Sequence, residues 1–328
     1  MKRRLVVVIV FLTIMMAITI PNVKASPDIL WGVTGAREVF TVDTATGVVT
    51  ILSSDPVNLF GDIAMTPNGN LYATGAADPD FLILAPNAQW AINFNDFHRL
   101  DPATGNVMTT WSNLFTDAGF HRCNALAAES STSLLAIEGG AVCTSWGYPT
   151  GPRLLRITLD AAGNYVSITS LGPIAAAGAS AFCCCSDGDL DRDPFSGKWY
   201  AGFWDTLGSE MLELNLANPS ASVSISQSSI TYEGGFAFDS VGIAYAGSWA
   251  DENLYTVNVV GGGSSILYDL SSDLGGAIYG LSRQFAAPVG GEWVPVNVFQ
   301  LLTPWIALGL IALGIAVAGI KRFAFRRP

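Results

Sequence analysis

From residue 29 to residue 285 the chain alternates short runs of Val, Ile, Leu, Phe, Tyr and Thr with turns rich in Gly, Asn, Asp and Pro. That spacing predicts a series of hairpins rather than helices, because β-branched and aromatic residues fit a pleated, partly covered surface and the turn residues supply the reversals. The hairpins repeat. "GDIAMTPNGNLYATG" (61–75) and "GDLDRDPFSGKWYAG" (188–202) share an Asp, an apolar residue, a Pro, a Gly turn and a Tyr-Ala strand, and they align with one inserted residue. "NALAAESSTSLLAIEG" (124–139) and "GFAFDSVGIAYAG" (235–247) are looser copies. Each is followed by a second hairpin, at 97–112, 154–171, 211–226 and 253–270, so four pairs of hairpins are visible.

The remaining segments complete a fifth copy. "AIYGLSR" (277–283) reads as a lone first strand, while 29–35, 38–44 and 48–54 read as second, third and fourth strands. Four-stranded units that repeat and close with strands from both ends predict an all-β fold, a β-propeller of five four-stranded blades. A β-sandwich also suits regularly spaced hairpins, but it does not account for five paired motifs or for the split copy.

Motifs such as Leu100-Asp-Pro-Ala-Thr-Gly105 and Asn70-Leu-Tyr-Ala73 resemble those of exported propeller repeats, the NHL, YVTN and quinoprotein-like superfamily, over residues 29–285. The resemblance implies a fold. It assigns no activity, since one fold hosts many functions.

Both ends of the chain read as membrane-targeting segments. Lys2, Arg3 and Arg4 precede an apolar run from Leu5 to Ile20, with Val23-Lys24-Ala25 ahead of Ser26, as expected for a signal peptide over 1–25. Leu301–Ile320 is apolar and uncharged, long enough to cross a bilayer as a transmembrane helix, and Lys321, Arg322, Arg326 and Arg327 follow it at once. The expected order is therefore signal peptide 1–25, propeller ectodomain 26–287, stalk 288–300, membrane helix 301–320 and basic cytoplasmic tail 321–328. Such a protein is single-pass in the cell membrane with its ectodomain extracellular. Residues 289–328 resemble the C-terminal anchors of prokaryotic cell-surface proteins.

Between the two ends, eight basic residues stand against all 27 acidic ones, a net −19. That sign disfavours a nucleic-acid partner. Enzyme signatures are sparse: His98 and His121 are the only histidines, and there is no G-x-S-x-G, P-loop or G-x-G-x-x-G. His98, beside Arg99, reads as an exposed strand residue. No cofactor is required by the sequence.

Candidate chemistry collects in the connections. In a blade with strands a to d, the b–c and d–a connections share one face, and the a–b and c–d turns share the other. The turns are tight, whereas 76–96, 113–123, 140–152 and 173–187 are long, which makes their face the candidate for binding. Trp204 and Trp249 recur just after strand b, each followed by an acid, Asp205 or Asp251; Trp90 and Trp146 occupy the same connections of two other blades. Flat rings beside carboxylates suit a glycan or other small polar ligand, although Trp residues that merely pack between blades fit the pattern too.

Five cysteines, Cys123, Cys143, Cys183, Cys184 and Cys185, fall on that face and are disulfide candidates in an oxidising compartment. Neighbours in the triple are too close to bridge one another. A weaker reading makes His121, Cys123 and the triple Cys183, Cys184 and Cys185 ligands of copper(I) or zinc. The series Asp187, Asp189, Asp191, Asp193 imitates a calcium loop, but Arg192 and Lys198 stand where glycine and glutamate are needed. Asp189 aligns with Asp62, which points to a cap at the entry to strand a. A cation held by Asp62 and Asp189 in the central channel, or a glycosidase-type carboxylate pair, are the alternatives. The leading expectation is an anchored binding module for a glycan, another small polar ligand or a surface protein. A hydrolase or a structural cell-envelope protein is the alternative.

Overall fold

The computed structural model describes residues 28–75, 95–120, 123–138, 152–174, 188–205, 208–228, 230, 233–248 and 251–285. They form five four-stranded antiparallel sheets. The first blade runs β4 (Phe60–Met65), β5 (Leu71–Gly75), β6 (Phe97–Leu100), β7 (Val107–Trp111), and the second β8 (Cys123–Ser130), β9 (Ser133–Glu138), β10 (Arg153–Leu159), β11 (Tyr165–Pro173). The third holds β12 (Gly188–Arg192), β13 (Trp199–Asp205), β14 (Gly208–Leu214), β15 (Val223–Ser228), and the fourth β16 (Glu233–Phe238), β17 (Ala244–Ser248), β18 (Asn253–Val257), β19 (Ser264–Asp269).

The fifth sheet is the split one. Its order is β20 (Ile278–Arg283), β1 (Ile29–Thr34), β2 (Glu38–Asp43), β3 (Val49–Ser54), with Leu30 opposite Arg283 and Gly32 opposite Leu281. Innermost strands touch in the order β20, β4, β8, β12, β16 and back to β20. The ring is therefore closed by pairing the C-terminal strand with the N-terminal one.

Period-two alternation explains how such short strands build a core. Neighbouring side chains on one strand point to opposite sheet faces, and in a ring each face meets a different blade. Val39 enters the core between the closing and first blades, while Phe40 enters the core between the fourth and closing blades. Likewise Leu134 packs toward the first blade and Leu135 toward the third. There are five such clusters among the described residues, one at each blade boundary. Strands near the axis are buried on both faces, as in β5, which is buried throughout, and so read as unbroken apolar runs. Outer strands such as β7 are mostly exposed.

Tight turns join a to b and c to d. In Asp193-Pro-Phe-Ser-Gly197 the Asp193 carboxylate accepts from Phe195 N at 2.8 Å and Ser196 Oγ at 2.6 Å. Gly197 closes that turn at φ 71°, a conformation that side-chain-bearing residues avoid.

Among the described residues no helix is long and apolar enough to cross a membrane. The apolar segment 301–320 and the segment 1–25 lie outside the described residues.

Candidate functional site

Two carboxyl groups occupy the centre of the ring. Asp62 on β4 and Asp189 on β12 are wholly buried, and although β8 separates their strands they hydrogen-bond to each other. Asp62 accepts from Ile63 N at 2.7 Å and from Leu126 N on β8. Asp189 accepts from Leu190 N at 2.6 Å, from Phe236 N on β16 at 2.7 Å and from Leu281 N on β20 at 3.1 Å. Two side chains thus bond to all five innermost strands, whose inward N–H groups have no sheet partner. Asp191 repeats the device one step along β12, accepting from Phe238 N at 2.8 Å. Ser282 Oγ accepts from Met65 N at 3.0 Å.

Electrostatics follow from that burial. Desolvation raises Asp62 well above the ordinary carboxyl range, and the neighbouring Asp189 charge pushes it further. Burial also raises Asp189, to about 8, against the opposing effect of its hydrogen bonds. Two carboxyls in contact cannot both ionise cheaply, so they share a proton at neutral pH, with Asp62 as donor. The aligned aspartates are structural, as their repeat position implied. They act within the strands and across the ring, however, and not as caps of a turn. Each of the four carboxyl oxygens accepts from at least one backbone N–H. Among the described residues no group of three or more His, Cys, Asp or Glu is placed to hold a metal ion.

On the face of the long connections, an acid stands at the b–c junction of every blade: Glu38, Asp96, Glu138, Asp205 and Asp251. Glu38 accepts from Thr34 Oγ1 at 3.0 Å and Gly275 N at 2.9 Å. Asp96 accepts from Asn113 N at 2.8 Å. Glu138 is almost fully buried and paired through two bonds with Arg153, whose guanidinium lies 4.8 Å over the Phe120 ring. Asp251 accepts from Asn253 N at 3.0 Å and from the Tyr255 hydroxyl at 2.9 Å. These carboxylates clamp the bases of the connections. Asp205 is paired with Gly208 across the β13–β14 hairpin, and Trp204 with Ser209. Both residues therefore end strand b instead of following it.

Trp90, Trp146 and Trp249 lie outside the described residues, as do His121, Cys143, Cys183, Cys184 and Cys185. Cys123 is described. It is a free, wholly buried thiol, pushed up by burial and then by the Glu138 charge, with Arg153 opposing.

His98 differs from the sequence reading. It is fully buried, because strand c lies between two blades and its second residue faces the closing blade with Leu100. Its ring meets Phe60 edge-on at 5.4 Å, and Nδ1 lies 3.1 Å from Thr110 Oγ1. Burial lowers its pKa, against the pull of Asp96 and Asp55, which keeps the imidazole neutral.

No family model matches the chain, and no curated protein matches it. Among solved structures it is similar to a chain in the crystal structure of a nidogen/laminin complex, with 10% identity, TM-score 0.46, and coverage of 80% of this chain and 99% of that one. It is also similar to a protein of unknown function from Bacteroides caccae, with 13% identity, TM-score 0.39, and coverage of 81% and 76%. A third is the PQQ-bound aldose sugar dehydrogenase from Streptomyces coelicolor, with 16% identity, TM-score 0.40, and coverage of 62% and 60%. None of the three assigns this chain an activity.

Proposed function

We propose that the protein is a cell-surface propeller, held in the membrane by residues 301–320, that binds a ligand on the face of its long connections. The observation that carries this reading is where the two ends of the ring leave it. Asp28 accepts from Ser240 N and Oγ in the a–b turn of the fourth blade, and Gln284 N donates to Ile29 O. Entry and exit thus share the face of the tight turns. The opposite face, with its clamped carboxylates and long connections, is clear of both described ends of the chain.

The ligand class is a glycan or other small polar molecule, read by Trp204 and Trp249 beside Asp205 and Asp251, with a surface protein as the alternative. A hydrolytic role for Asp62 and Asp189 has little to support it, since both are buried and their oxygens are taken by backbone N–H groups. Glycan-array binding of the wild type, lost in Trp204→Ala and Trp249→Ala variants that melt normally, is the expected result. A wild type that binds nothing on the array and captures no surface protein would overturn the binding role. Protease treatment of intact cells should leave a small membrane-embedded fragment, and complete protection would overturn the topology.

A further inference from the structure

We propose that the tight-turn face rests on the bilayer surface, with Phe195, Val241 and Val260 entering the headgroup region. This rests on the anchored reading above and goes beyond it: the stalk does not hold the propeller clear of the membrane, and the ring itself is a lipid-contacting element.

The turn chemistry of this face is unusual in what it turns outward. In seven of these turns an Asp or Asn folds its side chain back onto a backbone N–H two or three residues on, while Thr66 and Ser130 take that place in the a–b turns of the first two blades. Asp43 accepts from Ala45 N, Asp101 from Ala103 N, Asp160 from Ala162 N, Asp193 from Phe195 N and Asp239 from Val241 N. Asn258 does the same toward Gly261 N, beside Val260. The outcome is measurable as exposure: Phe195 is 74% exposed, Val260 72% and Val48 61%, with Val241 and Ile243 also exposed. Five of the exposed large hydrophobic residues among those described lie in a–b or c–d turns, while Val57 alone lies in a d–a connection. The others are on outer strands.

Phe195 and Val241 belong to neighbouring blades, and the Phe195 ring lies over Gly242, the residue after Val241. Asp28, where the chain enters, is bonded to Ser240 in that same turn. Exposed apolar residues grouped in this way mark an interaction surface. The length of chain beyond the exit names the occupant. Fifteen residues, 286–300, separate Phe285 from the apolar segment, a tether of at most about 50 Å. The tether leaves from the face that carries the exposed turns. Apolar and aromatic residues at turn tips enter the interfacial region without burying backbone N–H groups in hydrocarbon. The net −19 of the ectodomain makes a zwitterionic surface the fitting one, and an anionic surface should weaken contact.

The test uses the full chain in phosphatidylcholine vesicles, with a protease site placed between Gly290 and Gly291. Before cleavage, resistance to alkaline extraction reports the anchor alone, and extraction of the uncut protein would overturn the anchored reading. After cleavage, vesicle flotation reports the face. Wild-type propeller should stay with the vesicles, and the triple variant Phe195→Ser, Val241→Ser, Val260→Ser should be released at least about tenfold more readily. Melting curves check that the variant is folded. Full release of the wild type from vesicles that retain the anchor would overturn the inference and leave the anchor standing, as would equal retention of a folded variant. A released wild-type dimer that the variant abolishes would make a second copy the occupant and overturn it too.

Discussion

Asp62 and Asp189 meet across the ring from strands that are not neighbours, and together they accept hydrogen bonds from the backbone of β8, β16 and β20. Both side chains are wholly buried at the axis of this ring, where inward N–H groups need acceptors because water is excluded. Here the acceptors are side chains, and the charge problem of two buried carboxylates is met by one retained proton. The hub is thus a fastening of the ring and a titratable one.

Its titration has a definite sign. Burial raises Asp189 to about 8 and Asp62 well above its ordinary value, so the folded pair keeps a proton where an unfolded Asp, with its ordinary value of 3.8, has released it. The pair's contribution is fully present below about pH 4 and is lost as pH rises toward 8. Asp191 shifts in the same direction, whereas Glu129 and Asp55 shift the opposite way, so the wild-type profile alone does not isolate the hub. Asp62→Asn does, because an amide has no proton to lose, although its single oxygen cannot accept from both Ile63 N and Leu126 N. The variant should melt below the wild type at pH 4, and the gap should narrow steadily up to pH 8. A constant difference across that range would contradict a shared proton.

Gly280 is the position where β20 passes the hub. A Cβ there would lie 2.2 Å from Asp62 Oδ1 and 2.6 Å from Asp62 Cα, and a backbone atom cannot swing aside. Gly280→Ala should cost at least about 3 kcal/mol, at the upper end of overpacking penalties. Gly69→Ala is the control: φ is +83° and nothing lies within 4 Å of the added carbon. Only backbone strain of about 1–2 kcal/mol applies there. Equal losses in urea denaturation would mean that the collision is relieved.

The five blades were legible because each boundary is filled by alternate residues of adjoining strands, and such alternation survives as local pattern. The split sheet was legible because Ile278–Arg283 lacks a hairpin partner in sequence while 29–54 lacks a first strand. The Asp62–Asp189 contact was not. Alignment of the two Gly-Asp pairs showed equivalence, but equivalent positions meet only when the ring brings β4 and β12 to one centre. His98 read as exposed because Arg99 follows it, and a two-sided covering of strand c is a tertiary fact. Glu38, Asp96 and Glu138 escaped notice because their connections differ greatly in length: Glu138 and its partner Arg153 are 15 residues apart, whereas Thr34 and Glu38 are four apart, so no fixed spacing marks the junction.

Glu138 and Arg153 offer a separate test of the clamped connections. Glu138's side chain is 4% exposed and Arg153's 26%, so the pair is largely shielded. Removing the guanidinium takes one positive charge and two hydrogen bonds from a nearly buried carboxylate. Arg153→Ala should destabilise by about 2–3 kcal/mol, somewhat below the usual penalty for a fully buried pair because the guanidinium retains solvent contact. The double variant with Glu138→Gln should recover at least about half of that loss, since the carboxylate charge is gone. Additive losses in chemical denaturation would show that the two side chains act independently.

Closure predicts the largest effect. β20 supplies Ile278 and Leu281 to the core shared with the fourth blade and Tyr279 to the core shared with the first, and it also supplies Leu281 N to Asp189 and Ser282 Oγ to Met65 N. Burying each large apolar side chain is worth about 1.5–3 kcal/mol, so three of them approach the whole stability of an ordinary domain, about 5–15 kcal/mol. Deleting 278–283 also leaves β1 with a bare edge toward the axis. The full-length chain with that deletion should lose its cooperative melting transition. Deleting a comparable stretch of the 76–94 connection should shift stability by only about 1 kcal/mol, because loop-closure entropy depends weakly on length. Similar melting of the two deletions would show that the ring does not depend on its shared sheet.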